Sequence, residues 1–405
     1  MILFCSKLIK STSSNPVNNG AIVVKRGIII ARGPLQKIKR EFPGEPIIPL
    51  ERAVLLPGLV NVHTHLELPS LLDSVRSRTF PEWVLNLIQA KKGLHRGGYR
   101  QAADLNIRNL IHTGTTTVGE ISTHRISPGL LAQSGLRSVV FHEIISMNPL
   151  SPVPRFPALL SRPSGLTRSG LSPHAPHTVS KKVLSAIRTF AAKRNVPLCM
   201  HVAESKDEIR LLQGKKSGFE KLYAMARWDR DWAPKADSSF AYLNELGLLN
   251  PRFLAVHGVQ ATDADISLIK RTGTAIAHCP RSNKETKVGR LQLKTFLDKG
   301  IVVGLGTDSL ASSPSLSMWD EMRYALKIHK GEGVSVKDLF SIATSGGAKA
   351  LGLEKEVGTL EPGKRADIIA VPLPRKDTGD IYSDLLRETN SCIMTMVNGK
   401  ILYRR

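Results

Sequence analysis

The chain has 405 residues, 41% of them hydrophobic, and a formal net charge of +23 from 57 Lys and Arg against 34 Asp and Glu. That length allows one barrel-sized domain with a small companion, and four scattered cysteines, Cys5, Cys199, Cys279 and Cys392, exclude a disulfide scaffold or a zinc ribbon. The basic residues are spread as pairs such as Lys91-Lys92, Lys181-Lys182 and Lys215-Lys216, without a dense tail, so a solvated basic surface is expected rather than nucleic-acid binding. No signal-peptide pattern and no run of membrane-span length occurs, and the expected location is cytoplasmic.

Taken in chain order, residues 1–53 predict short strands broken by turns, with Asn18-Asn19-Gly20 before Ala21–Val24, then Gly27–Ala31. An apolar run from Ala53, closed by Pro57-Gly58, leads into Leu59-Val60-Asn61-Val62-His63-Thr64-His65. Residues i and i+2 of a strand point to the same side, so His63 and His65 can converge on one metal ion. Alone, such a pair is equally read as two ordinary strand histidines. Further strands are predicted to end near Glu120, Glu143, Pro173, His201, His257, His278 and Asp308, giving eight with His63. Ser180 is placed to cap a helix on which Val183, Ile187, Phe190 and Ala191 recur at helical spacing, and the Pro-, Ser- and Arg-rich stretch 151–169 reads as a surface loop. Eight βα units predict a closed barrel with its chemistry at the carboxyl ends of the strands.

The later strand ends bring further candidates: His201 with Glu204 three residues on, His257, and Asp308 after Ile301–Thr307. Three histidines and an aspartate form a mixed nitrogen and oxygen set suited to Zn²⁺, with Fe²⁺ as the alternative. Residues 357–405 return to short strands, from Val357-Gly358-Thr359 through Ala366–Val371 to Val397–Lys400. Neither flank builds much core alone, so 1–53 and 357–405 are expected to form one small β domain beside a barrel at 54–356.

From Pro57–His65, Gly114-Thr115-Thr116-Thr117, Ser172-Pro173-His174-Ala175-Pro176, His201–Glu204, His278-Cys279-Pro280-Arg281-Ser282-Asn283, Gly306-Thr307-Asp308-Ser309 and Leu360–Asp367, the chain resembles the amidohydrolase superfamily nearly end to end. The similarity lies in its branch of nucleoside and aminopurine deaminases and chlorohydrolases. The resemblance implies an α/β fold, a distorted (β/α)8 TIM barrel with a composite β-sandwich from both termini. It implies one divalent metal held by His63, His65, His201 and Asp308. No lysine stands at the fourth strand end, where binuclear members carry one, so a single ion is favoured.

The resemblance also implies a metal-dependent hydrolytic deaminase, with Asp308 as proton acceptor, Glu204 as proton donor to a substrate ring nitrogen and His257 beside the nucleophile. As a structural alternative, Glu204 would interact with the dipole at a helix N-terminus. The stretches around Glu67 and Phe80-Pro81-Glu82-Trp83 are similar to deaminases of 6-aminodeoxyfutalosine in menaquinone biosynthesis. S-adenosylhomocysteine and methylthioadenosine deaminases carry an additional acidic residue in that loop, where Pro81 stands beside Glu82, and His177 replaces a usual tyrosine. Glu67, Glu82, Trp83, His174, His177 and Arg281 are the candidate substrate contacts, while His95, His112, His124, His142 and His329 read as structural. Alternatives are a triazine or cyclic amidine hydrolase, or an inactive scaffold or basic binding protein. The expected partner is a small-molecule substrate, with a homodimer left open and neither nucleic acid nor membrane expected.

Overall fold

The computed structural model describes residues 1–160, 164–376, 378–389 and 391–405. Four strands come first: β1 (Ile2–Leu8), β2 (Val17–Lys25), β3 (Ile28–Pro34) and β4 (Ile47–Pro57). The middle of the chain supplies β5 (Leu59–Thr64), β6 (Thr115–Ser122), β7 (Arg137–Ile144), β8 (Thr167–Pro173), β9 (Leu198–Val202), β10 (Phe253–His257), β11 (Ala275–His278) and β12 (Val303–Leu305). The end supplies β13 (Ile368–Pro372), β14 (Met394–Val397) and β15 (Lys400–Arg404).

Strands β5 to β12 form an eight-stranded sheet in which each is hydrogen-bonded to its sequence neighbour. All these pairings are parallel. Their residues are buried almost without exception, as expected for parallel strands covered on both faces. A parallel bridge between Thr64 and Asp308 joins the last strand's end to the first. The backbone N–H groups of Thr307 and Asp308 both donate to the His63 carbonyl at 3.0 Å. Asn61 adds a side-chain clasp, donating through Nδ2 to Thr307 Oγ1 at 2.7 Å and accepting from the Thr307 N–H at 3.2 Å. Seven of the eight ends predicted from the sequence fall within two residues of a strand end, and the eighth, Asp308, lies on the turn three residues after β12.

The remaining strands form a seven-stranded sheet in the order β15-β14-β13-β4-β1-β2-β3. It is one continuous hydrogen-bonded sheet drawn from both termini, antiparallel except where β1 meets β4. Alternation along β4 shows how it is used: Ala53 and Leu55 join Leu3, Cys5, Ile368 and Met394 in the sheet's own core. Val54 and Leu56 point the other way, into the cluster shared with the barrel.

Three sequence expectations are corrected. The boundary drawn at residues 53 and 54 falls inside β4, which stays paired with β1 through Leu55 and with β13 through Pro57, so the barrel begins at Leu59. Ser180 does precede the helix Lys181–Arg194, but its hydroxyl makes no capping bond. Of the loop placed at 151–169, residues 161–163 lie outside the described residues. The rest holds a short helix, Phe156–Leu159, with Phe156 buried, and the start of β8.

Candidate active site

The carboxyl ends of β5, β9, β10 and the turn after β12 converge on one point. The imidazoles of His63, His65 and His201 place ligand atoms within 4.8 Å of one another, a spacing that one metal ion can span. Asp308 Oδ1 lies 3.5 Å from Nε2 of both His63 and His65. Three residues at these ends, Ala203, His257 and Asp308, hold left-handed backbone with φ of 51°, 73° and 57°. Non-glycine residues seldom adopt such angles, and they concentrate where a site has to aim side chains off the strand direction.

The donor set fits a cation. His63 is fully buried, yet neither ring nitrogen has a hydrogen-bond partner, whereas buried polar atoms are normally paired. His201 donates through Nδ1 to the His174 carbonyl at 2.9 Å, which fixes its tautomer and leaves Nε2 with a free lone pair. Burial drives the His63 imidazole down to about 4 and the His65 imidazole to about 3, so both are neutral at pH 7 and each keeps a lone pair that a cation could accept. Burial alone would push the Asp308 carboxyl up. The neighbouring imidazoles of His63, His65 and His257 outweigh it and hold Asp308 well below the usual carboxylate range. Its other oxygen, Oδ2, accepts from Ser282 Oγ at 2.5 Å and Ser312 Oγ at 2.8 Å.

Glu204 and His257 sit beside this cluster. His257 Nε2 is 3.4 Å from Glu204 Oε1, and His257 Nδ1 donates to Asn283 Oδ1 at 2.8 Å. Burial and the nearby carboxylates of Asp308 and Glu208 push the Glu204 carboxyl well above its ordinary range. The helix Lys206–Leu212 is capped by Ser205, and Glu208 accepts from the N–H groups of Ala203 and Glu204 at 2.9 and 3.1 Å. Glu208 therefore supports the turn, leaving the Glu204 carboxylate to face a cavity of about 290 Å³.

That cavity is lined by His65, His174, His177, His201, Glu204, His257 and Asp308 at its polar floor. Its walls are mostly apolar and come from the helix Phe80–Lys91 and from a segment around the helix Glu220–Ala226. Trp83 lines it, stacked on Phe80 with ring centroids 5.8 Å apart. His177 lines it too, its ring 4.7 Å from that of Phe219.

Three expected substrate contacts are elsewhere. Glu67 is buried off the pocket, its oxygens accepting from Ser122 Oγ, from the N–H groups of Thr123, His124 and Ile126, and from Ser127. Glu82 folds back over its own helix start in a capping box with Thr79. Arg281 donates to Ser315 Oγ at 2.8 Å and pairs with Asp320 and Glu321. In each case nearby backbone donors or charges hold the group more cheaply than an open pocket would.

Sequence reasoning missed Ser282, Asn283 and Ser312, which hold Asp308 and His257, and the wall residues Leu87, Ile88, Phe219, Leu222 and Trp228. Val84, Leu87, Ile88 and Lys91 do recur at i, i+3, i+4 and i+7, a helical stripe that could have been read.

Residues 54–402 match the amidohydrolase family, and the chain belongs to it. Among its relatives is a 5-methylthioadenosine/S-adenosylhomocysteine deaminase of Moorella thermoacetica, 29% identical over 97% of this chain and 92% of that one. Another is a 5′-deoxyadenosine deaminase of Methanocaldococcus jannaschii, 28% identical over 94% of this chain and 91% of the relative. The fold is shared with the Helicobacter pylori aminofutalosine deaminase solved with methylthio-coformycin, at TM-score 0.88 and 24% identity, covering 99% of each chain.

Proposed function

We propose that this amidohydrolase removes the amino group of an adenine nucleoside by hydrolysis and that 6-aminodeoxyfutalosine is its substrate. The observation that carries the reading is a buried carboxyl group, Glu204, facing a cavity beside three convergent imidazoles. Relatives named for deamination of methylthioadenosine, S-adenosylhomocysteine and 5′-deoxyadenosine support the reaction. Support for the substituent comes from the apolar walls and the fold shared with aminofutalosine deaminase.

His63, His65, His201 and Asp308 would hold one divalent ion, Zn²⁺ by their donor chemistry. A bound ion of that kind supplies a water acidified toward neutral pH. Asp308, with Oδ2 held by Ser282 and Ser312, would keep Oδ1 available as the acceptor of a proton. Glu204, whose carboxyl burial shifts toward its protonated form, donates to a ring nitrogen and makes the adjacent carbon electrophilic. His257, oriented by Asn283, polarises the attacking water and stabilises the charge that develops on its oxygen as it adds to the ring carbon. His174, His177 and Trp83, which line the cavity, contact the substrate.

A panel of adenine nucleosides differing at the 5′ position, with a triazine as control, tests the reading by ammonia release from metal-loaded protein. Release from nucleosides and none from the triazine is expected. Turnover of the triazine alone would overturn it.

A further inference from the structure

The polar groups of the cavity divide unequally. Its floor is histidine and carboxylate, while its walls offer Leu68, Phe80, Trp83, Leu87, Phe219 and Leu222 among others. Among the described residues, Lys91 is the only lysine or arginine lining it. It closes the helix Phe80–Lys91 and is half-buried. Lys91 Nζ has no hydrogen-bond or ion-pair partner among the described residues, although Glu143 lines the same cavity. Glu143 is instead held by Thr123 Oγ1 at 2.7 Å. Arg281, the other cation among the candidate substrate contacts, is occupied by Ser315, Asp320 and Glu321.

An ammonium beside apolar and aromatic walls recognises an anion carried on an apolar stem. We infer that Lys91 is a specificity-determining residue that binds a carboxylate on the far end of an apolar, aromatic 5′ substituent of the nucleoside. The inference rests on the deaminase reading of the same site and extends it from the purine to the substituent. A lysine in a last helical turn also complements the helix dipole, and such a role would affect stability without distinguishing one ligand from another.

The experiment compares 6-aminodeoxyfutalosine, which bears a benzoate, with its methyl ester, in the intact metal-loaded protein and its Lys91→Met and Lys91→Glu variants. Both ammonia release and calorimetric binding are measured. The wild-type protein is expected to prefer the acid, and Lys91→Met to lower the acid-to-ester ratio of kcat/KM at least tenfold. Lys91→Glu should invert the preference. A shift in the binding ratio without ammonia release supports the role of Lys91 and refutes the deaminase reading. Ammonia release with the same ratio in all three proteins refutes the role of Lys91 and leaves the deaminase reading standing. Binding of neither ligand refutes both.

Discussion

At the residue scale, the site depends on side chains that never face the cavity. The role proposed for His257 requires its ring to be held, and Asn283 holds it by accepting from Nδ1 at 2.8 Å. Removing such a supporting partner commonly costs about 10–100-fold in activity or metal affinity. Asn283→Ala is therefore expected to lower kcat by about that factor with the protein still folded, and Asn283→Asp, which keeps the acceptor, to recover part of it. Steady-state ammonia release with parallel circular dichroism checks this. Glu67, Glu82 and Arg281 illustrate the opposite case. Their sequence positions gave charge without direction, and the backbone N–H groups after β6, the Thr79 capping box and the Asp320–Glu321 pair decided where each one points.

At the element scale, strands were legible because each is a short apolar run closed by a polar residue whose chemistry marks the end. His63, His201, His257 and Asp308 carry both signals. Pocket walls were less legible, since Val84, Leu87 and Ile88 make the same stripe whether they face a core or a ligand. The helix Met318–Ile328 shows a further effect of burial. It buries Met318, Trp319, Met322 and Ala325 together with Glu321. Burial pushes the Glu321 carboxyl up to about 8 from 4.5, against the opposing pull of Arg281 and its N–H. Between those values the folded chain keeps a proton that the unfolded chain has released, so this group's contribution falls as pH rises from 4.5 to about 8. Glu321→Gln is expected to flatten the decline of unfolding free energy over that window, measured by urea titration at several pH values. An unchanged slope would contradict the assignment.

At the scale of the whole molecule, the two sheets are tied beneath the barrel, away from the cavity. Arg137, at the start of β7, meets both oxygens of Asp367 at 2.9 and 3.0 Å, and Asp367 also accepts from the Asn398 N–H at 2.8 Å. Both partners are buried, and Arg137 also pairs with Glu356 at 3.3 Å. This joint fixes the terminal sheet against the end of the barrel opposite the site. The pattern of strand ends pointed to the barrel, but the long-range partner of a mid-chain arginine left no local mark in the sequence. Among the described residues no helix is long and apolar enough to cross a membrane.

The central claim is that one cluster holds the metal and an adjacent acid performs the proton transfer. The most direct test measures metal content and adenine-nucleoside turnover together in His201→Ala and Glu204→Gln. The account predicts that His201→Ala loses both. Glu204→Gln should retain stoichiometric metal while its kcat/KM falls by about 10²–10⁴, the usual contribution of a positioned general acid. Full metal content in His201→Ala, or full turnover in Glu204→Gln, would contradict it.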